Sequence, residues 1–302
     1  MQLSVTNGHL KKIIGEVKEF LESNEEMPHD LLTDFIGELK YSNLLLAGKT
    51  EGDDLIFENL TSDDGLSVIA LYTDEDEFEK AYSDSDYQAI PNEIEYYIEL
   101  VNDHEFVGIL INPENEDVFI EREFLNGIPV AEISKSDDGE GYSSQKLRDI
   151  AINASNESLA EFMKSGDDHF EALMLELSKA TLLCVVASDD ELEEHANDGI
   201  IAVEDVSDFE LCTTIDGENE YGILFTDVDA INETKGEGNF YCQLALLDDF
   251  MDFVLRSDMD GIIINPAKDD YLISRQYLIE AYGGISYNNP NFKNALDYLF
   301  VL

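Results

Sequence analysis

The chain contains one long internal repeat. The segment GILINP, which begins at Gly108, recurs as GIIINP from Gly261, 153 residues later, and the upstream segment LYTDED recurs at the same spacing as LFTDVD. Residues 65–125 align with residues 218–278 without a gap, and 14 of the 61 aligned positions are identical. A repeat of this length indicates one domain that occurs twice, since solenoid repeats are much shorter.

Each copy has the same order of local patterns. Amphipathic helical patterns come first, and an apolar strand follows at residues 44–47 and 182–186. Hairpin strands, helical stretches and a second apolar strand complete both copies. Because strands that are apolar on both faces need cover on both faces, we predict two tandem similar domains of the α/β (α+β) class, each a mixed β-sheet with helices packed on it. The polar, glycine-rich stretch 136–141 is typical of a linker, so the predicted domains are 1–145 and 146–302.

The chain is strongly acidic. It has 17 Lys and Arg residues against 68 Asp and Glu, a net charge of −51. This charge excludes the basic surface that binds nucleic acid, and it excludes docking on anionic membranes. It is typical of a solvated surface that resists association. A docking face for a basic partner, loose cation binding and adaptation to high salt are the alternatives.

The charge also predicts a response to salt. Like charges repel across the folded surface, and the Debye length falls from about 10 Å at 0.1 M to about 3 Å at 1 M salt. We expect the melting temperature to rise with NaCl, and divalent cations to act at lower concentrations. Thermal denaturation across a salt series measures this, and an unchanged melting temperature would mean that the carboxylates are mostly paired or widely spread.

The cysteines and the N-terminal sequence indicate the compartment. Cys184, Cys212 and Cys242 have no metal-binding spacing, and their odd number predicts buried free thiols in a reducing environment. The chain begins without a signal-peptide pattern, and its apolar runs are too short to span a bilayer. We therefore expect a cytoplasmic protein. No nucleotide, metal or catalytic motif occurs, so we predict no cofactor, no metal site and no catalytic residue.

A threonine follows an apolar strand in both copies. Thr73 with Asp76, and Thr226 with Asp229, have the spacing of a capping box. In such a box the threonine accepts a hydrogen bond from a free backbone N–H of the first turn. We therefore interpret these four residues as helix caps.

An Asn-Pro pair ends the second apolar strand of each copy. Proline cannot continue a central strand, and it favours extended geometry for the preceding Asn112 and Asn265. The asparagine side chain can close a turn. The alternative is a polar group displayed at the carboxyl end of a strand, where open α/β sheets bind ligands.

Two of the four arginines also recur. Arg122 and Arg275 each follow a recurring aspartate, Asp117 and Asp270, by five residues. In an acidic chain a structural ion pair is the first interpretation. However, alternation places residues five apart on opposite faces of a regular strand. Each arginine could instead anchor a carboxylate, a phosphate or a partner peptide.

These segments resemble a known family. A helix, an apolar strand, LYTDEDEF and GILINPENEDVFIERE look like the SseB N-terminal domain, over about residues 30–125 and again over about 170–280. The resemblance implies a cytosolic bacterial α/β domain. It implies no catalytic activity, and therefore no catalytic residue.

The first function hypothesis is a non-enzymatic protein-interaction module with a protein partner, most simply a basic one. The alternative is a small-ligand binder or enzyme that would use a cleft holding Asn112 with Arg122, or Asn265 with Arg275. A weaker alternative is an acidic mimic of nucleic acid. The sequence does not determine the partner or the oligomeric state.

Overall fold

The chain divides into two compact units, Met1–Glu132 and Ile133–Leu302. The predicted boundary at 145/146 passes through a helix, Ser144–Ile152, that packs in the second unit. Of the predicted linker 136–141, all but Gly141 lies outside the described residues. The computed structural model describes residues 5–23, 27–51, 54–61, 65–83, 85–104, 106–128, 141–165, 169–188, 191–206, 208–281 and 294–302.

The first unit combines helices with a mixed sheet. Its described helices are α1 (Gly8–Ser23), α2 (His29–Tyr41), α3 (Glu75–Tyr82), α4 (Ile94–Asp103) and α5 (Arg122–Leu125). Its described strands are β1 (Asn43–Glu51), β2 (Asp54–Phe57), β3 (Asn59–Thr61), β4 (Ser67–Tyr72), β5 (Gln88–Glu93), β6 (Gly108–Ile111) and β7 (Val118–Glu121). The main strand order is β2-β1-β4-β6-β7, with β3 also paired to β4 and β5 to β1.

Helices cover both faces of this sheet because its central strands are apolar on both sides. On one face, alternate strand residues such as Leu46 and Ile109 pack against α1, α2 and α4. On the other face, Ala70 and Tyr72 pack against Phe78 of α3. The predicted α/β class is therefore present in this unit.

One parallel strand pair decides which loops meet. In β4 and β6, Ile69 lies opposite Ile109 and Leu71 lies opposite Ile111. Parallel strands end at the same edge of a sheet, so the loop after Tyr72 and the loop after Ile111 are neighbours. At the other end of β6, a Cβ on Gly108 would collide with a backbone carbonyl of β7, which explains the glycine at the start of this strand.

The second unit has two sheets. Its described helices are α6 (Ser144–Ile152), α7 (Glu157–Ser165), α8 (Phe170–Lys179), α9 (Leu192–His195), α10 (Val228–Lys235), α11 (Leu247–Arg256) and α12 (Arg275–Ala281). Its described strands are β8 (Leu182–Ala187), β9 (Ile200–Ala202), β10 (Glu210–Leu211), β11 (Thr213–Asp216), β12 (Asn219–Leu224), β13 (Tyr241–Ala245), β14 (Gly261–Ile264), β15 (Tyr271–Ser274) and β16 (Tyr298–Val301).

Backbone hydrogen bonds join the two sheets of the second unit. The strand orders are β10-β8-β13-β16-β9 and β11-β12-β14-β15. Leu183 and Phe225 exchange two N–H···O bonds of 2.9 and 2.8 Å, which place β8 next to the end of β12. The strands β12 and β14 are parallel, as β4 and β6 are in the first unit.

Strand registers in the two units agree at the spacing of the sequence repeat. Ile69 lies opposite Ile109, and 153 residues later Gly222 lies opposite Ile262. Upstream of the main repeat, residues 39–47 resemble residues 177–185 at a spacing of 138 instead of 153. Between β8 and β10 the second unit adds α9 and β9, in the region where this spacing changes. This agreement supports the interpretation that one domain occurs twice.

The cysteines are all free. Cys184 and Cys242 are buried, as predicted, whereas Cys212 is only half-buried. Burial raises the pKa of Cys184 to about 12 and also raises the pKa of Cys242, so both thiols stay protonated at neutral pH.

None of the helices in the described part of the chain has both the length and the apolar character needed to cross a membrane.

Candidate functional site

Asn112 joins the carboxyl ends of β4 and β6 in the first unit. Its Oδ1 accepts a hydrogen bond from the backbone N–H of Thr73 over 3.0 Å. Its Nδ2 donates to Thr73 Oγ1 over 2.9 Å and to Glu116 Oε2 over 2.7 Å. Asn112 is 1% exposed, and Thr73 is fully buried. Because each polar atom of this side chain has a partner within the unit, the amide is a structural link.

The second unit repeats this network. Asn265 Oδ1 accepts from the backbone N–H of Thr226 over 3.0 Å. Asn265 Nδ2 donates to Thr226 Oγ1 over 2.8 Å and to Asp269 Oδ2 over 2.7 Å. In both units an asparagine therefore ties the loop after one parallel strand to the loop after its neighbour.

The backbone of the Asn-Pro turn differs from the prediction. Asn112 and Asn265 have φ angles of 47° and 52°, in the left-handed region, not the extended geometry expected before proline. The turn closes where the N–H of Asp117 donates to Asn112 O over 3.0 Å, and Asp270 bonds likewise to Asn265. Asparagine tolerates the left-handed region better than most residues, and its buried side-chain bonds hold it there. Asp117 and Asp270 serve these turns and have left-handed φ angles of 54° and 47°.

The cap of α3 is Asp74, so the predicted capping box is wrong by one residue. Asp74 Oδ1 accepts from the backbone N–H of Glu77 over 2.9 Å. Thr73 instead donates its hydroxyl to Asp74 Oδ2 over 3.1 Å, and Asp76 is exposed. The physical reason is that Asn112 already bonds to Thr73, which holds that threonine at the strand end and delays the helix by one residue.

The second unit departs from the prediction in the same way. Asp227 caps α10, because its Oδ1 accepts from the N–H of Ala230 over 2.7 Å. Thr226 donates its hydroxyl to Asp227, and Asp229 lies in the first turn without acting as the cap. The recurring threonine and aspartate therefore cooperate, with the threonine orienting the capping carboxylate.

Lysine and carboxylate groups surround the cap of α3. Lys11 Nζ lies 2.6 Å from Asp74 Oδ2 and 3.5 Å from Glu77 Oε1, and Lys80 Nζ lies 2.6 Å from the same Glu77 oxygen. Burial acts to raise the pKa of Asp74, but the hydrogen bonds from Lys11, the Glu77 amide and Thr73 outweigh it and hold this pKa below its usual value. Asp74 is thus ionised at neutral pH.

We expect Asp74→Ala to lower the free energy of unfolding by about 1 kcal/mol at pH 7, since it removes a side-chain N-cap. The pKa of Asp74 is lowered in the folded state, so its stabilisation is present above the unfolded pKa of about 4 and is lost as pH falls through the folded pKa. Urea denaturation of both proteins from pH 7 to pH 2 measures the difference. Asp76→Ala is the matched control, with a change below about 0.5 kcal/mol. Equal losses for both variants would contradict the assignment of the cap.

Arg275 caps the carboxyl end of a helix and does not pair with Asp270. Its guanidinium donates to Leu255 O over 2.8 Å and to Met259 O over 2.9 Å, at and just beyond the last turn of α11. The side chain is buried, with 6% of the residue exposed. Asp270 precedes β15 and Arg275 follows it, so the strand separates the two charges and the predicted ion pair is not formed.

Arg122 has a different environment from its counterpart. Its backbone N–H donates to Val107 O over 2.9 Å, and its side chain is half-buried. Asp117 lies beyond the other end of β7, so this predicted ion pair is also not formed. Among the described residues the Arg122 guanidinium has neither a hydrogen-bond nor an ion-pair partner.

The predicted ligand cleft is therefore wrong. Asn112 follows the carboxyl end of β6, whereas Arg122 lies beside the amino end of that strand. The four residues of β6 lie between them, so the separation is five residue steps, or about 16 Å. Asn265 and Arg275 are separated by β14 in the same way. In the parts of the chain described above, no group of three or more His, Cys, Asp or Glu residues could hold a metal ion.

Asn7 and Asn156 form a further repeated pair, which the sequence patterns did not indicate. Asn7 Nδ2 donates to Asn43 O and to Thr73 O, each over 2.7 Å. Asn156 Nδ2 donates to Thr181 O over 2.8 Å and to Thr226 O over 2.6 Å. Each asparagine immediately precedes a helix, α1 or α7, a position that favours Asn, and this is the signal that could have identified it.

The first unit has an open groove beside its edge strand, with a volume of about 530 Å³. Its walls are α1, α2 and the whole of β7. Apolar side chains from all three elements line it, including Leu21, Phe35 and Phe119, of which Leu21 is 56% and Phe119 is 42% exposed. The exposed acidic residues Asp117 and Glu121, which stand at the two ends of β7, are also among the residues that line it. We call this the β7 groove.

The corresponding place in the second unit contains an aromatic stack. Leu32 and Phe124 line the β7 groove, and their counterparts at the repeat spacings of 138 and 153 are Phe170 and Tyr277. The rings of Phe170 and Tyr277 are 5.6 Å apart and 18° from parallel. Two side chains that border an open groove in the first unit are thus in contact with each other in the second.

Comparisons with known proteins add no identification, because no family model, no curated protein and no solved structure matches the chain.

Proposed function

We propose that this protein is a non-enzymatic interaction module that binds a basic segment of a partner protein in the β7 groove. The observation that carries the proposal is the groove itself, which is lined mostly by apolar residues and has the exposed acidic residues Asp117 and Glu121 at the ends of its strand β7. In a chain of net charge −51, such a surface attracts cations and repels other acidic proteins. Apolar contact supplies affinity, and the carboxylates supply selectivity for positive charge.

The recurring polar residues support a binding role more than a catalytic one. Asn112 and Thr73 use their polar side-chain atoms in hydrogen bonds within the unit, and Arg275 is used in capping α11. A catalytic group has to reach a substrate and to take part in proton transfer or nucleophilic attack. The two copies therefore share an internal scaffold, and the groove is one of the features in which they differ.

We further propose a cytoplasmic location and a relationship of each unit to the SseB N-terminal domain. The support for the location is the two buried thiols, which are free and protonated. The support for the relationship is the LYTDED and GILINP segments at matched spacing. The net charge argues against nucleic acid and anionic membranes as partners.

A fluorescent peptide, acetyl-Lys-Val-Lys-Val-Lys-Val-Lys-amide, tests the proposed function by fluorescence anisotropy at 0.15 M NaCl. The comparison peptide, called the Lys-Ser peptide, has serine in place of each valine and therefore the same charge. We expect the Lys-Val peptide to bind at least tenfold more tightly than the Lys-Ser peptide. Phe119→Ser should weaken binding at least fivefold by removing apolar contact, and Glu121→Lys should weaken it at least tenfold. Leu272→Ser is the matched control, because Leu272 is the counterpart of Phe119 on β15 and is 50% exposed.

Two results would contradict the proposed function. Equal binding of the Lys-Val and Lys-Ser peptides would mean that only net charge attracts them. Equal losses for Phe119→Ser and Leu272→Ser would mean that the groove of the first unit has no special part. Circular dichroism of each variant shows whether it is folded.

A further inference from the structure

We propose that the partner segment binds in an extended conformation and pairs with β7 as an additional strand of the sheet. This inference rests on the proposed function and specifies its mode of recognition. β7 is the last strand in the order β2-β1-β4-β6-β7, so none of the described strands lies along its outer side. An edge of this kind is a template for strand addition.

The hydrogen bonds of β7 indicate which backbone groups face outward. The N–H of Arg122 donates to Val107 O over 2.9 Å, so the backbone of Arg122 faces β6. Backbone groups alternate along an antiparallel pair, so Val118 and Ile120 also face β6. Phe119 and Glu121 then direct their N–H and C=O groups away from the sheet. In the described part of the chain neither residue has a hydrogen bond to another loop or helix.

The β7 groove lies along this open side. All five residues 117–121 line the groove, together with apolar residues of α1 and α2. A chain that pairs with Phe119 and Glu121 would therefore place alternate side chains against Leu21 and Phe35. The other side chains would point toward solvent. A four-residue strand spans about 13 Å, which matches a partner segment of about five residues.

The charges argue for a basic segment of another protein and against a second copy of this chain. Exposed carboxylates of Asp117 and Glu121 stand at the two ends of the strand that would be paired. Two copies of a chain with a net charge of −51 repel each other. The ammonium group of Lys18 donates to Asn115 O over 3.0 Å, in the loop before β7. This lysine therefore contacts the chain outside the strand that would be paired. The occupant is thus an extended segment in which apolar and basic residues alternate.

The strand β15 of the second unit shares part of this geometry but differs from β7 in the side chains that lie beside it. The N–H of Arg275 donates to Asp260 O over 2.7 Å, so Leu272 and Ser274 face outward by the same alternation. The Phe170–Tyr277 stack lies at the place that corresponds to the groove lining. We therefore assign strand addition to the first unit only.

Backbone N-methylation of the peptide tests strand pairing with the full-length protein. In an added strand, alternate residues direct their N–H groups toward β7 and the others toward solvent. One Lys-Val peptide carries N-methyl groups on the backbone amides of its three valines. A second peptide carries them on the backbone amides of its second, third and fourth lysines. We expect one of the two to bind at least thirtyfold more weakly than the parent peptide, and the other to bind within threefold.

Amide hydrogen exchange of the complex supplies a second readout. We expect the parent peptide to slow exchange at the amides of Phe119 and Glu121 at least tenfold, with little change at Leu272 and Ser274. A peptide whose two N-methylated forms both bind like the parent, without protection at these amides, would overturn strand pairing and leave the proposed function standing. The same holds if both N-methylated forms lose binding equally. If the parent peptide binds no better than the Lys-Ser peptide, the proposed function fails, and strand pairing fails with it. Protection of the same amides by concentrated protein alone would assign the edge to a second copy and overturn the basic partner.

Discussion

Replacing Asn265 by alanine is expected to lower the free energy of unfolding of the second unit by about 3 kcal/mol. The substitution leaves the buried N–H of Thr226 without its acceptor and the carboxylate of Asp269 without its donor. It also places alanine at a φ angle of 52°, where a residue without a local hydrogen bond is strained by about 1 kcal/mol. Asn112→Ala should have the same effect in the first unit, since its bonds are the same.

Urea denaturation of the full-length variants measures this loss, and hydrogen exchange in β14 assigns it to the second unit. Asn126→Ala is the control, because Asn126 is exposed and its side chain, within the described residues, bonds to one other exposed asparagine, Asn102. We expect its effect to stay within about 0.5 kcal/mol. A loss of that size for Asn265→Ala would show that the asparagine link is not needed to hold the two loops together.

Arg275→Lys is expected to lower the free energy of unfolding by about 2 kcal/mol, whereas Arg122→Lys should change it by less than about 0.5 kcal/mol. The guanidinium of Arg275 reaches two different carbonyls, those of Leu255 and Met259, from one buried position. A lysine has a single ammonium group and cannot reproduce this fork. Arg122 is half-buried and has no such partners among the described residues.

The two arginine variants serve as controls for each other because they occupy the same position in the repeat. Thermal and urea denaturation of each full-length variant gives the comparison. Similar large losses for both would mean that Arg122 also caps a helix in solution. Similar small losses would mean that the carbonyls at the end of α11 are satisfied by water as well as by Arg275.

The sequence alone was sufficient to predict the α/β class and to single out some of the residues on which the scaffold depends. Apolar runs such as residues 44–47 and 109–111 are apolar on both sides, and only a sheet covered on both faces can bury them. Comparison of the two copies singled out Asn112 and Asn265, with a turn-closing role as the first interpretation and a displayed ligand group as the alternative. The apolar strands and the recurring residues at their ends can be recognised from the sequence because both depend on residues that are close together in the chain.

Tertiary structure alone decided which of those residues meet. The recurrence of Asp117 and Arg122 suggested an ion pair, but β7 places the two residues at opposite ends of a strand. The sequence predicted Thr73 as a helix cap. In the structure Thr73 instead bonds to Asn112, 39 residues away, and Asp74 caps the helix. The β7 groove depends on helices and a strand about 100 residues apart in the chain. Contacts between residues so far apart in the chain depend on how helices and strands pack against each other. Local sequence patterns do not determine that packing.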